Sequence, residues 1–311
     1  MQDHNASVNS EQPVPWTGAE IVLSVFLAWM FWPAAIFAIL KGIHVEHWYY
    51  GDEAPEMTKR LGLWVNALAS PFQVVTYPLV FSAFHRITLE QLGLTRRRLV
   101  RNVFGGVAVL LLLTPVVFGI WQFIRWTYGS SGEHALERHT LEEIAQQQLY
   151  PSEWVLLFFT AMIAAPLHEE LTFRGILQPW LAARPWGGHA AMFGAFVLAL
   201  ALRHERLLAA WSEDLSALTN AAAPALFVLA MLPLYLMVWA VSRTPLMPAL
   251  FGTSLLFACL HAPVWPTPIP LFVLALGLGT LAQRTRSLVG PIVMHSLFNS
   301  FSCVLLLAER I

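Results

Sequence analysis

Nine stretches of the chain run almost wholly apolar, near residues 20–41, 61–83, 102–124, 153–183, 187–202, 221–242, 246–262, 268–283 and 287–309. A helix needs about 20 mostly apolar residues to cross a bilayer. Most of the nine meet that length; 187–202 and 268–283 are short, and are expected to be tilted, re-entrant or fused with a neighbour. The pattern predicts an all-α polytopic integral membrane helix bundle of eight or nine transmembrane helices. No internal repeat stands out, so the inverted halves of many secondary transporters are not visible.

Polar stretches separate the runs. Residues 42–60 carry His44, Glu46, His47, Asp52, Glu53, Glu56, Lys59 and Arg60 and read as a solvated loop or amphipathic segment. Residues 125–152 are mixed in charge and rich in Gln and Glu, and 203–220 reads as a small polar excursion. The first eighteen residues hold Asp3 and Glu11 but no Lys or Arg. They lack the positive start of a secretory signal, and the first apolar run is expected to stay as an anchor.

Composition sharpens the class. Of the 311 residues, 57% are hydrophobic and 12% charged, about half the charged share of ordinary soluble domains. Mean hydropathy is +0.59, and 13 Trp with 20 Phe supply the aromatic weight of membrane interfaces. A net charge of −1 argues against nucleic-acid binding, which requires a basic footprint. Cys259 and Cys303 both lie in apolar runs, which excludes a disulfide-stapled secreted domain. The densest basic cluster, Arg96, Arg97, Arg98 and Arg101, is assigned to the cytoplasm by the positive-inside rule. Alternation then puts Arg184 inside, and Arg243, Arg284 and Arg286 as well if all nine spans are real, at the cost of leaving Lys41, Lys59 and Arg60 outside.

Away from segment edges, only three charged side chains fall within the apolar runs: Glu169, Glu170 and Arg174, all in 166–177. A charge near the bilayer centre costs at least about 2.5–3.5 kcal/mol, and adjacent carboxylates disfavour each other's ionisation. Glu170 and Arg174 have the spacing and order of a favourable i,i+4 pair, whereas Glu169 points about 100° away and needs another partner. Such a cluster is either a structural ion pair locking helix packing or functional. Two downstream pairs favour function: Phe257 with His261, and His295 with Asn299, each four apart on one helical face. Two Glu, two His and one Asn on three apolar helices supply a base, a proton carrier and donors for an oxyanion. Other chemistries are missing their parts. His168-Glu169-Glu170-Leu171-Thr172 has Thr where a zincin needs its second His. No GxSxG serine site or phosphate-cradling glycine loop occurs, and the only Gly-Asp pair, Gly51-Asp52, lies in a polar loop.

These residues resemble the CPBP intramembrane proteases, the group of type II CAAX prenyl endopeptidases and bacteriocin-processing or bacteriocin-immunity proteins. The EExxxR motif stands as Glu169 to Arg174, FxxxH as Phe257 to His261, and HxxxN as His295 to Asn299, in the family's order. The resemblance covers about 150–308. It implies a catalytic membrane unit at 151–311, preceded by N-terminal helices and polar loops over 1–150. An inserted segment at about 186–245 departs from the family, many of whose members have only a short connection there.

The resemblance further implies an endopeptidase acting on a membrane-associated protein or peptide, with prenylated CAAX proteins a candidate substrate. Glu169, helped by His261, would activate water; Glu170 would hold Arg174 and tune Glu169; His295 and Asn299 would donate to the tetrahedral oxyanion. Members are often named metalloproteases, and Glu169, His261 and His295 would be the zinc ligands if a metal is bound; Asn299 and the second Glu suit a metal-free glutamate mechanism instead. Expected partners are membrane lipid and the peptide substrate, in the cell membrane if the source is bacterial. A water-filled cavity open to the cytoplasmic side is expected. One difficulty is geometric: with one full span between them, His261 and His295 would face opposite sides, and Pro263, Pro266, Pro268 and Pro270 offer the break needed to bring them together. Two other classes remain open at this stage: a proton-coupled transporter, and a non-catalytic immunity or scaffold protein on the same fold.

Overall fold

A computed structural model describes residues 14–45, 57–128 and 149–308. Most of the polar segments expected at 42–60 and 125–152 lies outside the described residues, as do Asp3 and Glu11. Among the described residues the chain is helical, without strands. The helices are α1 (Gly18–Gly42), α2 (Met57–His85), α3 (Leu99–Tyr128), α4 (Pro151–Ala182), α5 (Gly187–Ala201), α6 (His204–Ala210), α7 (Leu215–Val241), α8 (Leu246–Cys259), α9 (Pro268–Thr285) and α10 (Val289–Ala308).

Six of these (α1, α2, α3, α4, α7 and α10) are long and apolar enough to cross a membrane. This is a multi-pass integral membrane protein. The expectation of eight or nine crossings is met in part: α5 and α8 are apolar but shorter, and α9 is the remaining helix matching an apolar run. Local chemistry sets the ends. At the start of α1 the Thr17 N–H donates to the Glu20 carboxylate, and at the start of α4 the Tyr150 N–H donates to that of Glu153. At α7 the Asp214 carboxylate accepts from the Ala217 N–H and the Ser216 hydroxyl. These bonds hold its carboxyl below the usual range.

Small residues let the helices approach. A Cβ on Gly252 of α8 would sit 2.7 Å from the Ala191 Cβ and 2.8 Å from the Gly188 carbonyl oxygen, both on α5. Likewise a Cβ on Gly106 of α3 would meet the Gly290 carbonyl oxygen of α10 at 2.5 Å. In a bilayer, where apolar side chains gain little by leaving lipid, such close backbone packing is a main source of association. Helices α5 and α7 then cover α8 and α9 through an apolar cluster that includes Ala195, Val228, Tyr235, Leu255 and Phe272.

Four of the basic residues share one end. Arg97, Arg98 and Arg286 border one cavity. Gln283 Nε2 donates to the Leu246 carbonyl, which brings the α7–α8 turn carrying Arg243 to the same end. At the other end Arg60 pairs through its guanidinium with both carboxylate oxygens of the buried Glu153. That cation is neutralised locally, so it weighs little against the positive-inside assignment.

The glycine contact gives a direct check. Gly252→Ala is expected to destabilise the protein by about 1–3 kcal/mol through overpacking. Gly119→Ala, with nothing within 4 Å of the new carbon, is expected to leave the thermal midpoint in detergent unchanged or slightly raised.

Candidate active site

Helix α4 carries the first cluster, and its backbone is not uniform. Two π-helical stretches, Thr160–Ala164 and Leu171–Leu177, flank the α-helical turn Ala165–Glu170. Such widened turns are frequent at functional sites. Here they bracket both glutamates and include Arg174.

Glu170 is fully buried. Its Oε1 accepts from Arg174 Nη1 at 2.8 Å and sits 2.8 Å from His295 Nδ1 of α10. Arg174 extends the link: Nη2 donates to the Ala275 carbonyl of α9 at 3.4 Å, and its guanidinium lies over the Phe257 ring of α8, 4.3 Å from the centroid. One buried ion cluster thus joins α4, α8, α9 and α10. The other oxygen, Glu170 Oε2, has no hydrogen-bond partner.

Glu169 points elsewhere, as the 100° offset requires. Its side chain is 17% exposed and its Oε2 lies 3.8 Å from His295 Nε2. That gap is too long for a direct hydrogen bond and is a distance at which a bridging water is to be considered. His295 therefore stands between the two carboxylates, one ring nitrogen toward each.

The second motif converges on the same place. Phe257 packs its ring against Phe173, His261 and His295, with centroid separations of 5.2, 5.7 and 5.8 Å. His261 follows α8 in the turn before α9, its N–H bonded to the Ala258 carbonyl. The expected separation of the two histidines does not arise because α8 is only 14 residues long. At about 1.5 Å per residue it spans about 21 Å, short of the roughly 30 Å hydrocarbon core, so His261 never reaches the far face. Asn299 lies one turn beyond His295 and donates through Nδ2 to the Ala161 carbonyl at 2.8 Å, inside the first π-helical stretch. One of its two amide hydrogens is thereby committed.

The zinc set expected if a metal is bound finds no support among the described residues. Among the described residues no group of three or more His, Cys, Asp or Glu side chains is placed to hold a metal ion. His295 Nδ1 is held by Glu170 and Nε2 lies 3.8 Å from Glu169 Oε2, a pair with no third such donor grouped beside it among the described residues. The metalloprotease reading is not supported, and no step below passes through a metal.

Two groups that sequence reasoning passed over position the site. On the opposite face of α4, Trp29 Nε1 donates to the Tyr77 hydroxyl oxygen at 3.0 Å, and that oxygen lies 3.1 Å from His168 Nε2. The Thr172 hydroxyl donates to the His168 carbonyl, so the short Tyr77–Thr172 contact requires Tyr77 to donate. Proton accounting then makes His168 Nε2 a donor to Tyr77. This network fixes the rotation of α4, with Glu169 turned away from it.

The second is Arg203, placed by sequence in a polar excursion but buried in the fold. It donates to the carbonyls of Asn220, Ala221 and Pro263 at 3.1, 3.3 and 3.4 Å. Asn220 precedes Pro224 by four residues, and proline has no N–H to satisfy that carbonyl within α7. Pro263 lies two residues after His261, so Arg203 ties α7 to the turn that carries His261. The readable signal was the Asn220–Pro224 spacing, which leaves a carbonyl short of a donor in a stretch that also holds Arg203 and Arg206.

With this geometry in hand, comparison with known proteins is informative. Residues 151–251 and 230–301 match the family described as type II CAAX prenyl endopeptidase Rce1-like. No curated protein and no solved structure matches the chain.

The ion cluster and the Arg203 bonds make different demands. Glu170→Ala leaves Arg174 buried without its carboxylate and is expected to cost about 3–5 kcal/mol of stability, read as a large drop in thermal midpoint. Glu169→Gln, at the exposed member of the pair, is expected to leave the midpoint near wild type. Arg203→Ala should release the 260–267 turn, seen as faster hydrogen exchange at residues 260–267 and 219–222, with Arg203→Lys restoring only part of the protection because it lacks the guanidinium's fork of donors.

Proposed function

This chain belongs to the Rce1-like type II CAAX prenyl endopeptidase family, and we propose that it is an intramembrane endopeptidase that hydrolyses a peptide bond of a membrane-associated protein or peptide. The observation that carries the reading is the position of His295 between Glu169 and Glu170, with Arg174 completing the cluster. A structural ion pair needs only Glu170 and Arg174. The second, partly exposed carboxylate and the histidine facing it are surplus to packing and suited to chemistry.

Glu169 takes a proton from water as the water oxygen attacks the scissile carbonyl carbon. With both ring nitrogens protonated, His295 makes the four-residue set neutral: two carboxylates against one guanidinium and one imidazolium. Its Nδ1–H is spent on Glu170, and its Nε2–H is available to the oxygen that becomes an oxyanion. The second amide hydrogen of Asn299 is the other candidate donor. Donors already aimed at the developing charge are worth about 3–4 kcal/mol each in a dry site. The carbon–nitrogen bond then breaks, and the proton held on Glu169 passes to the departing amine. His261, whose ring also packs against Phe257, is assigned to orienting the water. The ties these side chains make with one another support assigning the activation of water to Glu169.

We read the catalytic unit as residues 151–311, with 1–150 supplying helices that enclose it and 186–245 as an added segment. Counting α5, α8 and α9 as membrane segments brings the bundle to the expected eight or nine. The site is entered from the end bearing the basic residues: Gly175 packs against the Leu92 carbonyl at that end, and Glu170 lies five residues, about 7.5 Å, further along the helix.

The test compares protein termini in membranes from cells expressing wild type or Glu169→Gln at matched abundance. New termini present only with wild type are expected, lost by at least about a hundredfold in the variant, the scale of removing a general base. Identical termini with both proteins folded would sink the protease reading and favour a scaffold or carrier.

A further inference from the structure

We propose that the cleft between the 88–98 turn, the start of α3 and the end of α9 binds the headgroup of an anionic phospholipid bearing a headgroup hydroxyl, such as a phosphoglycerol lipid. The cleft is a cavity of about 300 Å³ bordered by Arg97, Arg98, Arg286, Glu90 and Asn102. Three guanidiniums against one carboxylate leave it with a surplus of two positive charges. Arg97 and Glu90 are separated by 3.8 Å across its rim. Arg98 and Arg286 both have left-handed backbone, with φ of 54° and 50°, and turn the chain at opposite walls. The cleft also opens at the N-terminal end of a 30-residue helix, where the backbone dipole favours a phosphate.

A second observation narrows the ligand. Asn102 is 2% exposed, and its Nδ2 donates to the Arg97 carbonyl at 3.2 Å. Its Oδ1 has no hydrogen-bond partner. An acceptor left over beside three cations is matched by a ligand that offers both a phosphate and a donor. A headgroup hydroxyl supplies that donor. The surplus charge favours a headgroup with a net negative charge over a zwitterion. Immediately along α3 from the cleft, Val100 and Phe104 are 67% and 69% exposed and four apart, on one helical face. They offer the acyl chains a path that begins at the arginines, which a soluble phosphate would not use. Basic pockets between membrane helices at the headgroup level hold phospholipids by this combination.

The full-length protein, purified in mild detergent, is offered dioleoyl phosphatidylglycerol or dioleoyl phosphatidylcholine, and bound lipid is counted by native mass spectrometry. Wild type is expected to retain the glycerol lipid selectively. Arg98→Gln with Arg286→Gln should weaken that retention about 30-fold for the two charges. The charge-matched pair Arg125→Gln with Arg243→Gln should leave it unchanged. Equal weakening by both pairs would assign the effect to diffuse surface charge, and no weakening by the first pair would also overturn the site. Displacement of the lipid by millimolar inorganic phosphate would identify a soluble anion as the ligand instead. Should the first pair fail to fold, a headgroup-photoreactive phosphatidylglycerol applied to wild type decides: labelling within residues 90–104 and 284–288 supports the site, and labelling elsewhere removes it.

Discussion

Everything near the centre of this protein depends on keeping Glu170, Arg174 and His295 together out of water. Each charged group carries a desolvation cost of several kcal/mol, which is offset only when the partners and remaining hydrogen bonds are in place. Arg174 meets that condition by reaching past its own helix, to the Ala275 carbonyl and the Phe257 ring. His295 meets it from α10. Four helices must therefore arrive in register before the cluster is tolerable at all. The glycine contacts seat two of these helices, α8 on α5 and α10 on α3, where lipid gives apolar side chains little reason to associate.

The segment at 186–245 belongs to this arrangement. Helices α5 and α7 cover the outer side of α8 and α9, and Arg203 holds both α7 and the His261 turn. The turn contains carbonyls that regular helix would have satisfied internally, and at membrane depth an unsatisfied carbonyl is expensive. A buried arginine with five donors answers several at once. The insertion thus relates to the site through backbone carbonyls, with no side chain of its own reaching the glutamates.

Much of the architecture was legible because hydrophobic runs of spanning length and isolated charges within them are strong signals. All nine runs correspond to helices, and the Glu170–Arg174 pair follows from its i,i+4 spacing. The different orientation of Glu169 follows from helical geometry. What stayed hidden depends on distance in space. Nothing in the spacing of His295 from Glu170, 125 positions apart, says which nitrogen meets which carboxylate. The zinc set looked complete as a tally of residue types, yet among the described residues no three such donors are grouped to hold an ion. Runs of apolar residues also fix helix length poorly: 246–262 reads as a span, while α8 ends at Cys259 and its last three residues form the turn that carries His261. Tyr77 and His168 could not be paired from sequence because their link crosses two helices.

The brevity of α5 bears on the membrane itself. Its 15 residues match a hydrocarbon layer of about 22 Å, several ångströms thinner than an ordinary bilayer. Phe193 and Val197 face outward from it, and beyond it the short α6 carries exposed Leu208 and Trp211, an aromatic side chain suited to the headgroup level. Lipid beside this flank must thin or tilt to meet that level, because hydrophobic mismatch is relieved at the border of the protein. A bilayer crossed by α5 would be drawn thinner along this helix alone, since the neighbouring α7, with 27 residues, is long enough for the full thickness. The protein shapes its solvent as well as being shaped by it.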